Sequence, residues 1–565
     1  MLQKNDIISY SNLLKFSSET QFIINKVIDL IYIKDNIKLA EYLNIVKDQK
    51  EFRIIEKECI QWEDINSCNL AHHAICWGNG YALNLLFNEQ IVLANPFKKN
   101  INGDTILHLA AALNDLATIN WLLQFKTTNI AACLEPNKNG NTPLHLCADF
   151  NSTKVIKPLI ELTIQNADNL CKLSFNMSSN NISLINEPLT PSTIQNLILT
   201  KYNTIVKLGL LNNLGDTPLH IATKKNFVEL MRMLLEENAN VDAKNKYNQT
   251  PLHFAVYNNS AEAVDLILSC NPNVSLACNF GLTALHISTY HGLLAITTKL
   301  VTYGANIHLK NREGFTPLHY SCLKPDDTKK FKSAHTEITE LLLKVGALAN
   351  VANLEGDTPL HAAVRFNNLE SAKILLKYNA QVNTENKYGD TALHISVKQN
   401  SYDFVELLLN NGAFSNSQSL NGETPLHYIN INSDTKIIKL LLKKNANPYL
   451  TNSLGNSFIN LVTLLHSLGR TDILDLILSN NPDIHNTNLL STSNKNISNS
   501  YSDKVIYNVS DSELISPSHQ TLENESKKLQ KNAKPLLFLV DANLSNYETM
   551  IKYVDSSLMG EILKN

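Results

Sequence analysis

The stretch Thr217–His253, TPLHIATKKNFVELMRMLLEENANVDAKNKYNQTPLH, ends in the tetrapeptide that begins it, 33 residues earlier. The return is not isolated. Histidines of this tetrapeptide stand at His220, His253, His286, His319, His361, His394 and His427, at steps of 33, 33, 33, 42, 33 and 33. One step further lies Asn460, within GNSFINLV, which keeps the frame and has lost the letters. Upstream, His145, His108 and His72 continue the series at steps of 37 and 36. The 75 residues from His145 to His220 leave room for one degenerate unit plus an insertion. A fixed period of this length is the signature of a repeat array.

Each unit carries the same physical parts. Thr217 is a natural N-cap, since its hydroxyl accepts from the first free N–H groups of a helix. Pro218 then sits at the first helical position, where its missing N–H costs nothing. Two residues after the histidine comes a small residue: Ala110, Cys147, Ala222, Ala255, Ser288, Ser321, Ala363 or Ser396, with Ile429 as the exception. Small side chains there let neighbouring helices approach closely. A second helix follows, as in VELMRMLLEE, with apolar residues at helical spacing. It ends at Asn238, Asn271, Gly304, Gly346, Asn379, Gly412 or Asn445, the two residue types that best tolerate a left-handed cap. Segments like NVDAKNKYNQ then read as a β-turn or hairpin. Neither helix can bury its apolar face alone, so stability comes from stacking copies.

These residues resemble the ankyrin repeat, whose hallmark is T-P-L-H-x-A. Perfect TPLH copies begin at Thr142, Thr217, Thr250, Thr316, Thr358 and Thr424, with TALH at Thr283 and Thr391 and TILH at Thr105. The resemblance covers about residues 65–488 and implies an all-α solenoid with short β-hairpins, of about 11–12 helix–loop–helix–hairpin units. It further implies a concave face lined by hairpin tips and first helices.

Ten of the 17 histidines occupy the motif position. They invite a metal reading, but metal ligands must converge, and these are spaced one per unit along a solenoid. Each begins a helix beside a Thr hydroxyl, where its ring nitrogens can bond within and between units. The adjacent pair His72 and His73 has no evident third ligand. Nine cysteines form no C-x-x-C pair and read as free or buried thiols in a reducing compartment. No P-loop, GxSxG elbow, HExxH or kinase-like set occurs, so the chain is read as non-catalytic, with no cofactor and no metal. Net charge is −3 and the basic residues are scattered, which excludes dense nucleic-acid binding. The start MLQKNDIISYSNLLKF lacks a signal pattern and no apolar run approaches a membrane span, so a soluble, cytoplasmic monomer is expected.

Residues 1–64 read as a helical N-terminal cap and 65–488 as the array. A degenerate unit with an insertion is placed at about 166–214, and a loop insertion, KPDDTKKFKS, at 324–333. Residues 489–533 are polar and Ser/Asn-rich, as disordered linkers are; 534–565 are apolar enough for a short helical segment.

Specificity in such an array rests on exposed positions that differ between units. By the resemblance these are the hairpin tip and the fourth and fifth residues after the histidine. The tips offer Tyr247, Phe280, Phe315 and Tyr388. The first helices offer Phe150, Lys224, Lys225, Tyr257, Tyr290, His291, Arg365, Phe366 and Lys398. Aromatic rings with Arg and Lys nearby have the composition of interface hot spots, so a protein partner bound on the concave face is expected. The Asn-, Lys- and Ile-rich composition suggests an AT-rich genome. With the long array it resembles ankyrin proteins of intracellular bacteria, which implies an effector delivered into a host-cell cytoplasm and acting on host proteins. The alternative is a ubiquitin-ligase substrate adaptor, with its target on the repeats and a recruiting helix in the C-terminal segment.

Overall fold

The computed structural model describes residues 18–48, 52–88, 91–92, 94–95, 98–123, 135–161, 210–323 and 334–480. Residues 166–209 of the expected insertion, the loop insertion at 324–333, the linker and the C-terminal segment lie outside the described residues.

Each unit begins where a Thr in extended conformation caps a short helix. The caps are Thr105, Thr142, Thr217, Thr250, Thr283, Thr316, Thr358, Thr391 and Thr424, with Asn69 and Ser457 in the same role at the two ends. A representative unit is Pro251–Tyr257, then Ala261–Leu268. In the second helix Ala263, Val264, Ile267 and Leu268 are buried, the spacing of one helical face. The small residues after the motif histidine, Ala222, Ala255, Ser288, Ser321, Ala363 and Ser396, are wholly buried where helices cross. Ile429 breaks that rule. Its unit has only a 3-10 turn, Pro425–Tyr428, and the chain turns extended at Ile429 itself, with ψ 137°.

The predicted second-helix caps all adopt positive φ: Asn238 62°, Asn271 52°, Gly304 96°, Gly346 98°, Asn379 63°, Gly412 86° and Asn445 62°. Beyond them the hairpin segments are mostly turns. Among the described residues one regular strand pair forms, Phe87–Asn88 with Ile91–Val92, and isolated bridges join Ala277 to Thr283 and Thr451 to Ser457. The reason is that the turn backbones bond to the next turn. Lys246 N–H donates to Leu214 C=O, Asn279 to Tyr247, Arg312 to Phe280, Leu354 to Glu313, Lys387 to Glu355, and Leu420 to Tyr388, all at 2.8–3.0 Å.

The same bonds join the two units on either side of the longest interval. Asn213 N–H donates to Asn139 C=O at 3.0 Å, and His145 Nε2–H donates to Asp216 C=O at 2.9 Å. These are the links that join neighbours elsewhere, so among the described residues the His145 unit contacts the His220 unit as neighbours do. Residues 210–216 are the turn that leads into Thr217.

Before the first unit, helices Ser18–Ile33, Asn36–Lys47 and Phe52–Gln61 cover its outer side. Ile23, Ile24, Val27, Ile28 and Ile31 face inward, and Asn79 Nδ2 donates to Ile31 C=O at 3.2 Å.

Candidate interaction face

The motif histidines are framework. In every full unit the Thr N–H donates to histidine Nδ1, at 3.1 Å for Thr250 and His253, and the Thr hydroxyl lies 2.9 Å from the same nitrogen. Nε2 must then carry the proton, and it donates to a backbone carbonyl of the next unit. The partners are Asp104 for His72, Asn141 for His108, Gln249 for His220, Leu282 for His253, Phe315 for His286, Asp357 for His319, Asp390 for His361, Glu423 for His394 and Asn456 for His427, at 3.0–3.2 Å. A ring used at both nitrogens and buried must stay neutral. Burial pushes His72, His145, His253, His286 and His319 down to about 4. No group of three or more His, Cys, Asp or Glu side chains converges among the described residues.

A second framework element carries no conspicuous motif. Eight residues before the histidine stands Asn100, Asn137, Asn212, Asn245, Asn311, Asn353, Asn386 or, before Asn460, Asn452. Its side-chain oxygen accepts two turn N–H groups, as Asn245 does from Tyr247 and Gln249 at 2.9 Å each. Its amide nitrogen reaches back to the preceding unit: Asn245 to Asp216 and Asn386 to Asp357, both at 2.9 Å. On the opposite edge Asn350, Asn383 and Asn416, again 33 apart, accept the N–H of Gln381, Phe414 and Asn447 at 2.6–2.8 Å. In the first unit Asp64 replaces the asparagine. It accepts the N–H of Asn66 and Cys68, both at 2.8 Å, and meets His73 Nε2 at 3.2 Å. Burial opposes its charge, but the bonds from His73 and Cys68 outweigh that and hold its carboxyl below the usual range.

With the framework assigned, the remaining positions can be sorted. Between the His145 and His220 units lies a cleft of about 570 Å³ lined by Asn139, Asn141, Asp149, Leu214, Asp216, Ile221, Lys224 and Lys225 among others. These are residues six and four before the histidine and one, four and five after it. They share one face, here called the groove face. Lys225 pairs with Asp149 across the cleft at 3.3 Å.

Phe150, Lys225, Tyr247, Tyr388 and Lys398 are exposed on this face; Lys224, Tyr257, Phe280, His291, Arg365 and Phe366 are half-buried. Arg365 Nε donates to the buried Asp357 carboxylate at 3.0 Å, and Lys398 Nζ sits 5.9 Å from the Tyr428 ring centroid. Two candidates must be withdrawn. Phe315 is 2% exposed and Tyr290 6% exposed. Phe315 stands four residues before its histidine, whereas the tip residues Tyr247, Phe280 and Tyr388 stand six before theirs. That inner position lies under the turn, where Phe315 packs on His319 and Tyr320 at 5.5 and 5.9 Å. Tyr290 is buried because the first helix of the next unit stops at Ser321. Tyr290, Tyr320 and His291 fill that junction, with ring centroids 4.9 and 5.9 Å apart.

Cys59, Cys147 and Cys322 are buried, and burial pushes each thiol up to about 12.

Comparison with known proteins agrees with the geometry. A family model described as "Ankyrin repeats (3 copies)" matches residues 70–170, 189–276, 261–332 and 328–419, and one described as "Ankyrin repeat" matches 421–453. The chain belongs to the ankyrin repeat family, whose members are general protein–protein interaction modules. Among solved structures it is similar to the ankyrin repeat domain of Bcl-3, a unique member of the IkappaB protein family. Identity is 27%, over 40% of this chain and 99% of that one, with a TM-score of 0.35. The human ASB11 ankyrin repeat domain is 22% identical over 41% of this chain and 100% of that one, with a TM-score of 0.35. No curated protein shows a significant match to the chain. Among the described residues no helix is long and apolar enough to cross a membrane.

Proposed function

We propose that the chain is a non-catalytic scaffold that binds a protein partner through the groove face. One observation carries this reading. Large exposed rings stand on that face in separate units: Phe150 is 59%, Tyr247 42% and Tyr388 58% exposed. Burying such rings in a partner is worth ~2 kcal/mol or more each at the centre of an interface. The net charge of −3 and the scattered basic residues favour protein over nucleic acid. Delivery into a host cell is the finer part of the reading and draws its support from composition and array length.

The test is a combined Phe150→Ser, Tyr247→Ser, Tyr388→Ser variant. Its thermal melt should match the parent chain while partners co-purified with the parent are lost. Retention of those partners by the correctly folded variant would move the site off this face.

A further inference from the structure

The cleft between the His145 and His220 units is unbalanced in charge. Much of its lining is neutral: Leu214, Ile221 and the four asparagines Asn139, Asn141, Asn212 and Asn213. Lys224 and Lys225 supply its ammonium groups. On the turns that flank it Lys138 and Lys246 are exposed. Those turns are bonded in series, Asn213 Nδ2 donating to Lys138 C=O at 2.8 Å and Lys246 N–H to Leu214 C=O at 3.0 Å. A Cβ added at Gly215 would lie 3.1 Å from Lys246 Cγ, so the stem of this lysine lies back over the cleft's own turn. Three units thus bring four lysines to one cleft and its rim.

The carboxylates of the same turns and first helices are already used. Asp104 and Asp216 are buried and accept from Asn137 Nδ2 and Asn245 Nδ2, at 2.7 and 2.9 Å. Glu135 pairs with Lys99 at 2.8 Å, and Asp242 accepts the N–H of Asn273 at 3.0 Å. Asp149 meets Lys225 at 3.3 Å with both side chains more than a third exposed. An ion pair so open to water contributes little, and an incoming carboxylate can take Lys225 over. No carboxylate pairs with Lys138 or Lys246 among the described residues, and exposed Lys244 adds a further charge beside Lys246. The remaining charges of these units, within 154–161 and 229–237, belong to the second-helix segments and do not line the cleft. The local field is therefore positive on a chain whose net charge is −3, and a local field of one sign steers partners of the other. Apolar surface stands beside it, with Phe150 59% and Leu214 38% exposed. Ammonium groups gathered at one cleft, with apolar side chains at its edge, suit carboxylates carried on a polypeptide.

We infer that the groove face at the His145, His220 and His253 units receives an acidic segment of a protein partner. One Asp or Glu carboxylate enters the cleft and is held by Lys224 and Lys225, while neighbouring acids reach Lys138 and Lys246. Apolar side chains of the same segment rest on Phe150 and Leu214. The inference rests on the scaffold reading and adds to it the chemistry and the location of the bound segment.

The experiment is fluorescence anisotropy of labelled probes titrated with the full chain at low ionic strength. The probes are a Leu/Glu peptide, its charge-reversed Leu/Lys counterpart and a single-stranded oligothymidine. The acidic peptide should bind at least about tenfold more tightly than either of the others. Lys224→Gln with Lys225→Gln should remove about that factor. Lys138→Gln with Lys246→Gln, which breaks no internal ion pair, should weaken binding in the same direction. Lys436→Gln with Lys439→Gln makes the same change of net charge on the second helix Thr435–Lys443 and should leave binding unaltered. Equal binding of the two peptides, or equal loss in all three variants, overturns the inference. So does oligothymidine binding as tightly as the acidic peptide, because the cleft would then be a general polyanion site. If the peptide result fails while the Phe150, Tyr247, Tyr388 variant still loses its natural partners, the scaffold reading stands and this assignment alone falls.

Discussion

His253 Nε2 lies 3.0 Å from the carbonyl oxygen of Leu282, 29 residues on, while its Nδ1 accepts the N–H of Thr250 at 3.1 Å. One ring thus closes its own helix cap and holds the next unit. Asn460 shows the two tasks apart. Its side-chain oxygen accepts the Ser457 N–H at 2.9 Å and the Ser457 hydroxyl at 2.7 Å, yet an amide has no counterpart of the far ring nitrogen. His253→Asn should therefore keep the cap and lose the link, costing about 1–2 kcal/mol in denaturant unfolding. His253→Ala should cost more, since both bonds go.

The ring must be neutral to accept at Nδ1, which sets a pH dependence. Burial lowers His145, His253, His286 and His319 from 6.5 to about 4. The unfolded chain then binds protons that the folded chain refuses. Stability is fully present above pH 6.5 and is lost as pH falls toward 4, each histidine adding a slope of about 1.4 kcal/mol per pH unit in that window. Urea melts between pH 7.5 and 4.5 should show this steep loss. A flat profile would contradict the assigned hydrogen-bond roles.

Two glycines with left-handed backbone separate strain from crowding. At Gly304, φ is 96° and a Cβ would meet nothing within 4 Å. At Gly389, φ is 76° and a Cβ would sit 2.5 Å from the Leu420 backbone nitrogen. Gly304→Ala should cost about 1–2 kcal/mol, the left-handed penalty alone. Gly389→Ala should cost about 1–3 kcal/mol beyond that, because the inter-turn bond to Leu420 must move. Paired thermal melts check the difference.

Aromatic residues of similar composition should divide sharply by burial. Phe315→Ala should cost about 3–5 kcal/mol through loss of packing at its junction. Tyr388→Ala should stay within about 0.5 kcal/mol of the parent. Equal effects would mean that the groove-face assignment is out of register.

Much of the stack was legible from periodicity, because helix caps and close helix crossings demand particular residue types. Thr250, Pro251, His253 and Ala255 each have a local reason to be where they are, and so does Asn271 at its left-handed cap. The asparagines eight before the histidine carry no conspicuous motif, although the interval recurs between Asn100 and Asn452 with Cys278 and Ser419 as exceptions. Asparagine that reads as genome composition also builds a pair of hydrogen-bond ladders, one along the turns and one through Asn350, Asn383 and Asn416. Phe315 and Tyr290 depart from the sequence expectation for a different reason. Exposure on the groove face depends on the offset from the histidine and on how long the next helix runs, and residue type alone carries neither. The 75-residue step after His145 does not show which units touch, and the Asn139–Asn213 and His145–Asp216 bonds supply that contact.

The central claim is that exposed groove-face rings, and not the framework, hold a partner. Quantitative co-purification with the full chain and with its Phe150→Ser, Tyr247→Ser, Tyr388→Ser variant, matched by melting temperature, tests it most directly. The account predicts that the proteins enriched by the parent fall by about tenfold or more with the variant. The same proteins at undiminished levels would contradict it.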